Sequence, residues 1–138
     1  MSQTIIAAFD GSRTSTAAYH FALKLAAVEK APLLVLAVAQ PPDVEDHARN
    51  VAELEAQTSH FEEAFQALAP KAAEAGVEAR FRVVEGHPVE RILEQAKAVG
   101  AGHIVVGNRR KGIFEWLLLG SVAKRIVDLA PCSVTVVR

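Results

Sequence analysis

The sequence predicts an α/β fold in which helices cover both faces of one open parallel sheet. Short apolar runs alternate with longer segments whose apolar residues recur every three or four positions. This alternation is typical of parallel strands joined by crossover helices. With 138 residues, 51% of them apolar, the chain is expected to form a single domain over residues 1–138.

The first two strands are predicted on either side of an amphipathic helix. Strand one covers residues 4–9 and ends at Asp10-Gly11-Ser12, after which Ser12 or Ser15 could cap the helix. Residues 33–39 are continuously apolar, which predicts an interior strand covered on both faces. The predicted buried face of the helix consists of Ala18, Phe21, Ala22, Leu25 and Ala26.

The longest helix and a third strand follow. Pro70 is expected to kink or end this helix. In residues 77–84 apolar and charged residues alternate, which predicts a half-exposed edge strand. The apolar positions of the helix are Val51, Leu54, Thr58, Phe61, Phe65 and Leu68.

The last part of the chain repeats the strand and helix pattern. Gly86-His87-Pro88 predicts a turn with proline at the first helical position, and the following helix buries Val89, Ile92, Leu93 and Ala96. Residues 104–106 form strand four. The final helix is predicted to carry one apolar stripe, made of Val122, Ile126 and Leu129.

The fifth strand, residues 133–137, is expected at the other edge of the sheet. An unpaired apolar edge favours pairing with another chain, and a symmetric dimer satisfies it with one contact. We therefore expect a homodimer through Val134, Val136 and Val137.

Composition excludes several classes of function. A net charge of −1 argues against nucleic acid as a partner, and no apolar run reaches the roughly 18 residues that span a membrane. The single cysteine, Cys132, favours a reducing compartment, so the protein is expected in the cytoplasm. The five histidines lack the spacing of a metal site, and no metal bound by protein side chains alone is expected.

A basic segment bounded by Gly107 and Ser121 links strand four to the last helix. Backbone amides at Gly120 and Ser121 would begin that helix, where unpaired N–H groups and the helix dipole stabilise an anion such as phosphate. Ser121 is equally explained as a helix cap. The charge run that begins at Arg109 and Arg110 either contacts phosphate or is a solvated surface loop.

These segments resemble the universal stress protein family over essentially the whole chain. Asp10-Gly11-Ser12, Gly86-His87-Pro88 and Ala130-Pro131-Cys132 are similar to family segments at the same places. ATP-binding members carry the pattern Gly-x2-Gly-x9-Gly-Ser/Thr. Gly107, Gly120 and Ser121 match this pattern, whereas Arg110 replaces the second glycine.

The resemblance implies a strand order of 3-2-1-4-5, with ATP over the ends of strands one and four and Mg²⁺ bound only with the nucleotide. It also implies a dimer through the last strand. We expect a stress-response regulator, not an enzyme, with slow ATP hydrolysis at most, because the basic segment supplies no obvious base to activate water. The expected nucleotide-binding residues include the two arginines of the basic segment. They are Asp10, Val38, Gly107, Arg109, Arg110, Gly120, Ser121 and Val122.

Arg110 can be interpreted in two ways, and two hypotheses of function stay open beside the ATP-binding regulator. Its forked, charged donors suit phosphate oxygens, which favours nucleotide binding. A side chain at a position that needs left-handed backbone would instead close the pocket, giving an interaction protein that contacts partners through its dimer or the region of Trp116. A nucleotide-dependent enzyme that uses the same pocket is a third hypothesis.

Overall fold

The computed structural model describes residues 3–42, 45–108 and 120–138. In this part of the chain, strands and helices follow one another as the sequence predicts. They are β1 (Ile5–Ala8), α1 (Arg13–Glu29), β2 (Leu33–Ala39), α2 (His47–Glu74), β3 (Ala79–Glu85), α3 (Pro88–Val99), β4 (His103–Gly107), α4 (Ser121–Leu129) and β5 (Ser133–Val137).

The five strands of the described residues form one parallel sheet in the order β3-β2-β1-β4-β5. This confirms the predicted fold class and the implied strand order. β1 is central, since Ile5 lies opposite Leu33 of β2 on one side and opposite His103 of β4 on the other. The chain winds outward from β1 in both directions, which leaves a crevice beyond the carboxyl ends of β1 and β4.

Each face of the sheet buries a separate apolar layer, because successive strand residues point to opposite faces. Ile5 and Ala7 of β1 pack beneath α1 and α2, whereas Ile6 packs beneath α3 and α4. All seven residues of β2 are buried, as predicted for an interior strand covered on both faces. Alternating burial in β3 confirms that it is a half-exposed edge strand.

Aromatic rings fill the layer between α1, α2 and the sheet. The ring centroids of Phe65 and Phe81 lie 5.2 Å apart, and those of Phe9 and Phe65 lie 5.9 Å apart. The fully buried Tyr19 contacts Phe81 and donates a hydrogen bond of 2.6 Å from its hydroxyl to the carbonyl oxygen of Leu68. This hydrogen bond ties α1 to α2 across the core.

Two predicted helix faces are partly wrong. On α1, Phe21 is 42% exposed, while Tyr19 and Leu23 are buried in its place. On α4, Ile126 is buried as predicted but Leu129 is 53% exposed. On both helices the buried positions differ from the predicted ones by about a residue. The contact with the sheet decides which side chains are buried, and neighbouring positions are close alternatives because a helical turn takes 3.6 residues.

The same correction applies to the ends of the α2 and α4 patterns. Val51 is exposed near the beginning of α2, and Val122 is exposed at the beginning of α4, where Ala123 is buried instead. Pro70 does not end α2, which continues for one more turn to Glu74. A proline removes one helical hydrogen bond, and the core contacts of Phe65 and Ala72 on either side of it hold the helix together.

Within the described ranges, no helix is long and apolar enough to cross a membrane.

Candidate functional site

A cavity of about 220 Å³ lies at the carboxyl ends of β1, β2 and β4, beside the first turns of α1, α3 and α4. This is the crevice at which the strand order reverses. Six of the residues predicted from the sequence to bind nucleotide line it together. They are Asp10, Val38, Gly107, Gly120, Ser121 and Val122.

The other two predicted binding residues, Arg109 and Arg110, lie outside the described residues, as does Trp116. The described walls of the cavity are supplied by the sheet, the turns that follow its strands and three helices, α1, α3 and α4.

A tight turn after β1 forms one wall of the cavity. The Asp10 carboxylate accepts a hydrogen bond of 2.9 Å from the Ser12 amide, and Ser12 Oγ accepts one of 3.2 Å from the Ser15 amide. Ser12 is thus the N-cap of α1, one of the two caps the sequence allowed. Ser15 is buried and its hydroxyl accepts from the Asp10 amide at 3.2 Å, so the turn is cross-linked from both ends.

Gly107, at the end of β4, lies against the backbone of α1. A Cβ atom at this position would stand 2.5 Å from the carbonyl carbon of Thr14 and 2.7 Å from the Ser15 amide nitrogen. Such distances are far inside van der Waals contact, so only glycine allows α1 to approach β4 this closely. Gly107 therefore has a packing role, in addition to lining the cavity.

The first turn of α4 forms the opposite wall. Gly120, not Ser121, is the N-cap, and it has no side chain to bond the amides of the first turn. The Gly120 amide itself donates a buried hydrogen bond of 2.7 Å to Asn108 Oδ1. The expectation that the amides of both Gly120 and Ser121 face a ligand is thus wrong for Gly120, because its single N–H is already engaged.

An apolar slot between the sheet and α3 makes up the rest of the cavity, lined by Leu36, Val38, Ile92 and Val106. Gln40 stands at its rim directly after β2. The side-chain amide of Gln57 bonds both backbone groups of Gln40, accepting from its N–H at 2.8 Å and donating to its carbonyl at 2.7 Å. This pair fixes the chain where it leaves the sheet beside the slot.

Sequence reasoning did not assign to the site three polar residues in or beside it, namely Asn108, Ser15 and Gln40. Asn108 and Ser15 are the buried polar residues of the described chain. A signal was present for Asn108, since it is a polar residue directly after the buried strand that leads into the glycine segment. Its hydrogen-bond partner, Gly120, lies twelve residues further along the chain, and no local sequence pattern predicts that the two residues meet.

Cys132, the single cysteine, directly precedes β5 and does not line the cavity. Burial raises the pKa of the Cys132 thiol, which lowers its thiolate fraction at neutral pH. Among the described residues, no group of three or more histidine, cysteine, aspartate or glutamate side chains is placed to hold a metal ion.

The fold and the site define a small doubly wound α/β protein with a cavity at its topological switch point. The family model for universal stress proteins matches residues 1–138. Universal stress protein YxiE of Bacillus subtilis is 31% identical over 153 residues, which cover 100% of both chains. The chain therefore belongs to the universal stress protein family.

Solved structures of the family share the fold. The universal stress protein UspA from Lactobacillus plantarum superimposes with a TM-score of 0.88 at 25% identity, over 99% of this chain and 97% of that one. A universal stress protein in complex with cAMP gives a TM-score of 0.67 at 28% identity, over 99% of this chain and 96% of the other.

Proposed function

We propose that this protein binds an adenine nucleotide, with ATP as the expected ligand, in the cavity between the ends of β1 and β4, and that it acts as a nucleotide-responsive regulator. The observation that carries the proposal is the convergence of six predicted binding residues, distant in sequence, on this one cavity. The cAMP held by a family member of the same fold supports an adenine nucleotide as the ligand class.

The start of α4 suits the phosphate groups. Its N-cap glycine makes no side-chain hydrogen bond to the first turn, so the amides of Val122 and Ala123 keep their donors for an anion. The helix dipole adds about half a positive charge at the same place. Ser121 Oγ, on an exposed side chain, supplies a further donor at the cavity wall.

The apolar slot suits the base. Val38 and Ile92 offer flat apolar surface on its walls, and backbone groups at the open end of β2 offer donors and acceptors to the base edge. Asp10, on the exposed turn at the cavity mouth, would accept hydrogen bonds from ribose hydroxyls in addition to the one from the Ser12 amide. The two halves of a nucleotide are thus matched by opposite walls.

We propose that the protein acts as a regulator and not as an enzyme. The described walls contain no general base paired with a nucleophile, which removes one usual contribution to the rate of phosphoryl transfer. We further propose a cytoplasmic homodimer, with Mg²⁺ bound only through the phosphates of the nucleotide.

Calorimetric titration with ATP and Mg²⁺, on protein stripped of copurified nucleotide, tests the proposal. We expect micromolar binding, weakened roughly ten- to hundredfold by Asp10→Ala, since a hydrogen bond to a charged group contributes roughly 1.5–3 kcal/mol. Asp128→Ala, which changes the same residue type at the far end of α4, should bind as wild type does. Absence of heat and of a melting-temperature shift with ATP, AMP and cAMP would overturn the proposal.

The substitution Arg110→Gly separates the two hypotheses that the sequence left open. If arginine obstructs the pocket, the glycine variant should bind ATP more tightly than wild type does. If arginine holds phosphate, the same variant should bind ATP several-fold more weakly. Wild-type protein that binds no nucleotide, together with an Arg110→Gly variant that does, would favour the alternative function, an interaction protein of the same fold.

A further inference from the structure

We infer that Asn108 is a positioning residue that holds the first turn of α4 in place for the anionic group of the ligand. The inference rests on the proposed nucleotide site and extends it to a residue that does not line the cavity. Asn108 would act through Gly120, which does line it.

Asn108 is held by its backbone and by its side chain. It is only 7% exposed, and its backbone N–H donates a hydrogen bond of 2.8 Å to the carbonyl oxygen of Val137 at the end of β5. Asn108 Oδ1 then accepts from the Gly120 amide at 2.7 Å. One residue thus joins the ends of β4 and β5 to the start of α4.

This arrangement solves a conflict between capping a helix and leaving its start open to a ligand. A serine or aspartate at the N-cap would bond the amides of the second or third helical residue, here Val122 and Ala123, and so remove donors from the ligand. Asn108 bonds the amide of the N-cap residue instead. The helix start is anchored in an extended conformation, with Gly120 at φ −64° and ψ 160°, while the next amides keep their donors.

The chemistry of an amide oxygen also suits the place. Asparagine offers a neutral acceptor, so it binds the Gly120 amide without adding negative charge beside a phosphate. Aspartate would accept the same hydrogen bond but would repel the ligand. Asparagine is therefore the side chain of this shape that satisfies both requirements.

Binding of AMP and of adenosine to two variants tests the inference, because the two ligands differ only in the phosphate. We expect Asn108→Ala to weaken AMP binding about five- to tenfold, the equivalent of one hydrogen bond, and to change adenosine binding less than twofold. Asn108→Asp should weaken AMP binding too, with a loss that shrinks as salt is added. Asn50→Ala, the matched substitution on α2, should leave the ratio of the two affinities unchanged.

Amide hydrogen exchange of ligand-free protein provides a readout that needs no nucleotide. The Gly120 amide should exchange at least fivefold faster in Asn108→Ala than in wild type and remain protected in Asn108→Asp. A protected Gly120 amide in Asn108→Asp, combined with weaker AMP binding, would show that this variant keeps the helix start in position and loses affinity through its added negative charge.

Three outcomes would count against the inference. An equal loss of AMP and adenosine binding in Asn108→Ala would mean that the whole cavity has changed, not the phosphate end. Wild-type AMP binding in that variant would overturn the positioning role while the proposed function stands. Wild-type protein that binds neither of these ligands, nor ATP or cAMP, would overturn the proposed function and this inference with it.

Discussion

Gly107 shows how one residue connects packing with the candidate site. The strand end and the first turn of α1 approach so closely that the missing Cβ would meet the backbone of Thr14 and Ser15. Because backbone atoms cannot rotate away as a side chain can, a larger residue must push α1 from the sheet. The cavity wall that follows Asp10 belongs to the same turn and would move with it.

The first prediction is that Gly107→Ala lowers the free energy of unfolding by about 1–3 kcal/mol, the usual cost of inserting a group into a packed interior. Urea unfolding followed by circular dichroism measures the change. Gly102→Ala is the matched control, since the three atoms nearest to its Cβ would belong to the side chain of Gln3 and not to backbone. A smaller loss at position 107 than at position 102 would contradict this account.

At the residue scale, the sequence predicts local contacts well and distant ones poorly. The Asp10 to Ser12 turn and the Ser12 cap were accessible because donor and acceptor lie two or three residues apart. The engagement of Gly120 by Asn108 was not accessible, because it forms only when β4 and α4 meet in the fold. The candidate site was thus predictable in its location and not in its internal hydrogen bonding.

At the scale of elements, the buried hydroxyl of Tyr19 joins α1 to α2 by a hydrogen bond to the Leu68 carbonyl oxygen. Burial raises the pKa of Tyr19, and a backbone hydrogen bond with Ala72 partly opposes the shift. The hydroxyl is the donor to Leu68, so the protonated form is the one that the fold stabilises. Tyr19 therefore makes a packing contact that depends on pH.

The second prediction concerns Tyr19→Phe. Near neutral pH the variant should lose about 1 kcal/mol of stability, the net contribution of one hydrogen bond. Phe21→Leu, an exposed change on the same helix, should cost less than about 0.5 kcal/mol. A loss in Tyr19→Phe no larger than that of the control would show that the Leu68 contact does not stabilise the fold.

The pH dependence of the same variant provides a third prediction. The unfolded chain releases the Tyr19 proton near pH 10, whereas the folded protein releases it only at higher pH. Above about pH 10 the unfolded state holds fewer protons, so the free energy of unfolding falls as pH rises. Denaturation series from pH 8 to pH 11 should therefore show a shallower alkaline decline in Tyr19→Phe than in wild type. Parallel declines would exclude Tyr19 as a source of the pH dependence.

Strands were easier to predict than the orientation of helices. β2 and β5 have the predicted boundaries because apolar runs bounded by charged residues or proline leave little choice. The buried stripe of α4 was misplaced because its short segment offers Val122 and Leu129 as well as Ala123 to the pattern. Only the contact with the sheet decides which of the apolar positions faces inward.

At the scale of the whole molecule, the strand order determines which strands have an open edge. β3 and β5 are the two edge strands of the described sheet, and they differ in character. β3 carries Arg80 and Arg82 among its apolar residues, which hinders pairing with another chain. The side chains of β5 are polar only at Ser133 and Thr135, and its valines are half-buried at the margin of the two apolar layers.

The last prediction is that the protein is a dimer through the free edge of β5. Sedimentation of wild-type protein should give a dimer at micromolar concentration. Val136→Lys should shift the protein toward monomer with its circular dichroism spectrum retained, because a charged lysine on an edge strand opposes strand pairing. Val51→Lys places the same charge on α2, which packs over β2 and β3 at the opposite edge, and should leave the dimer intact.

A wild-type monomer at these concentrations would refute the dimer. A Val136→Lys variant that is folded and still dimeric would show that the dimer does not form through β5. The exposed Val127 and Leu129 of α4 would then be the next residues to test.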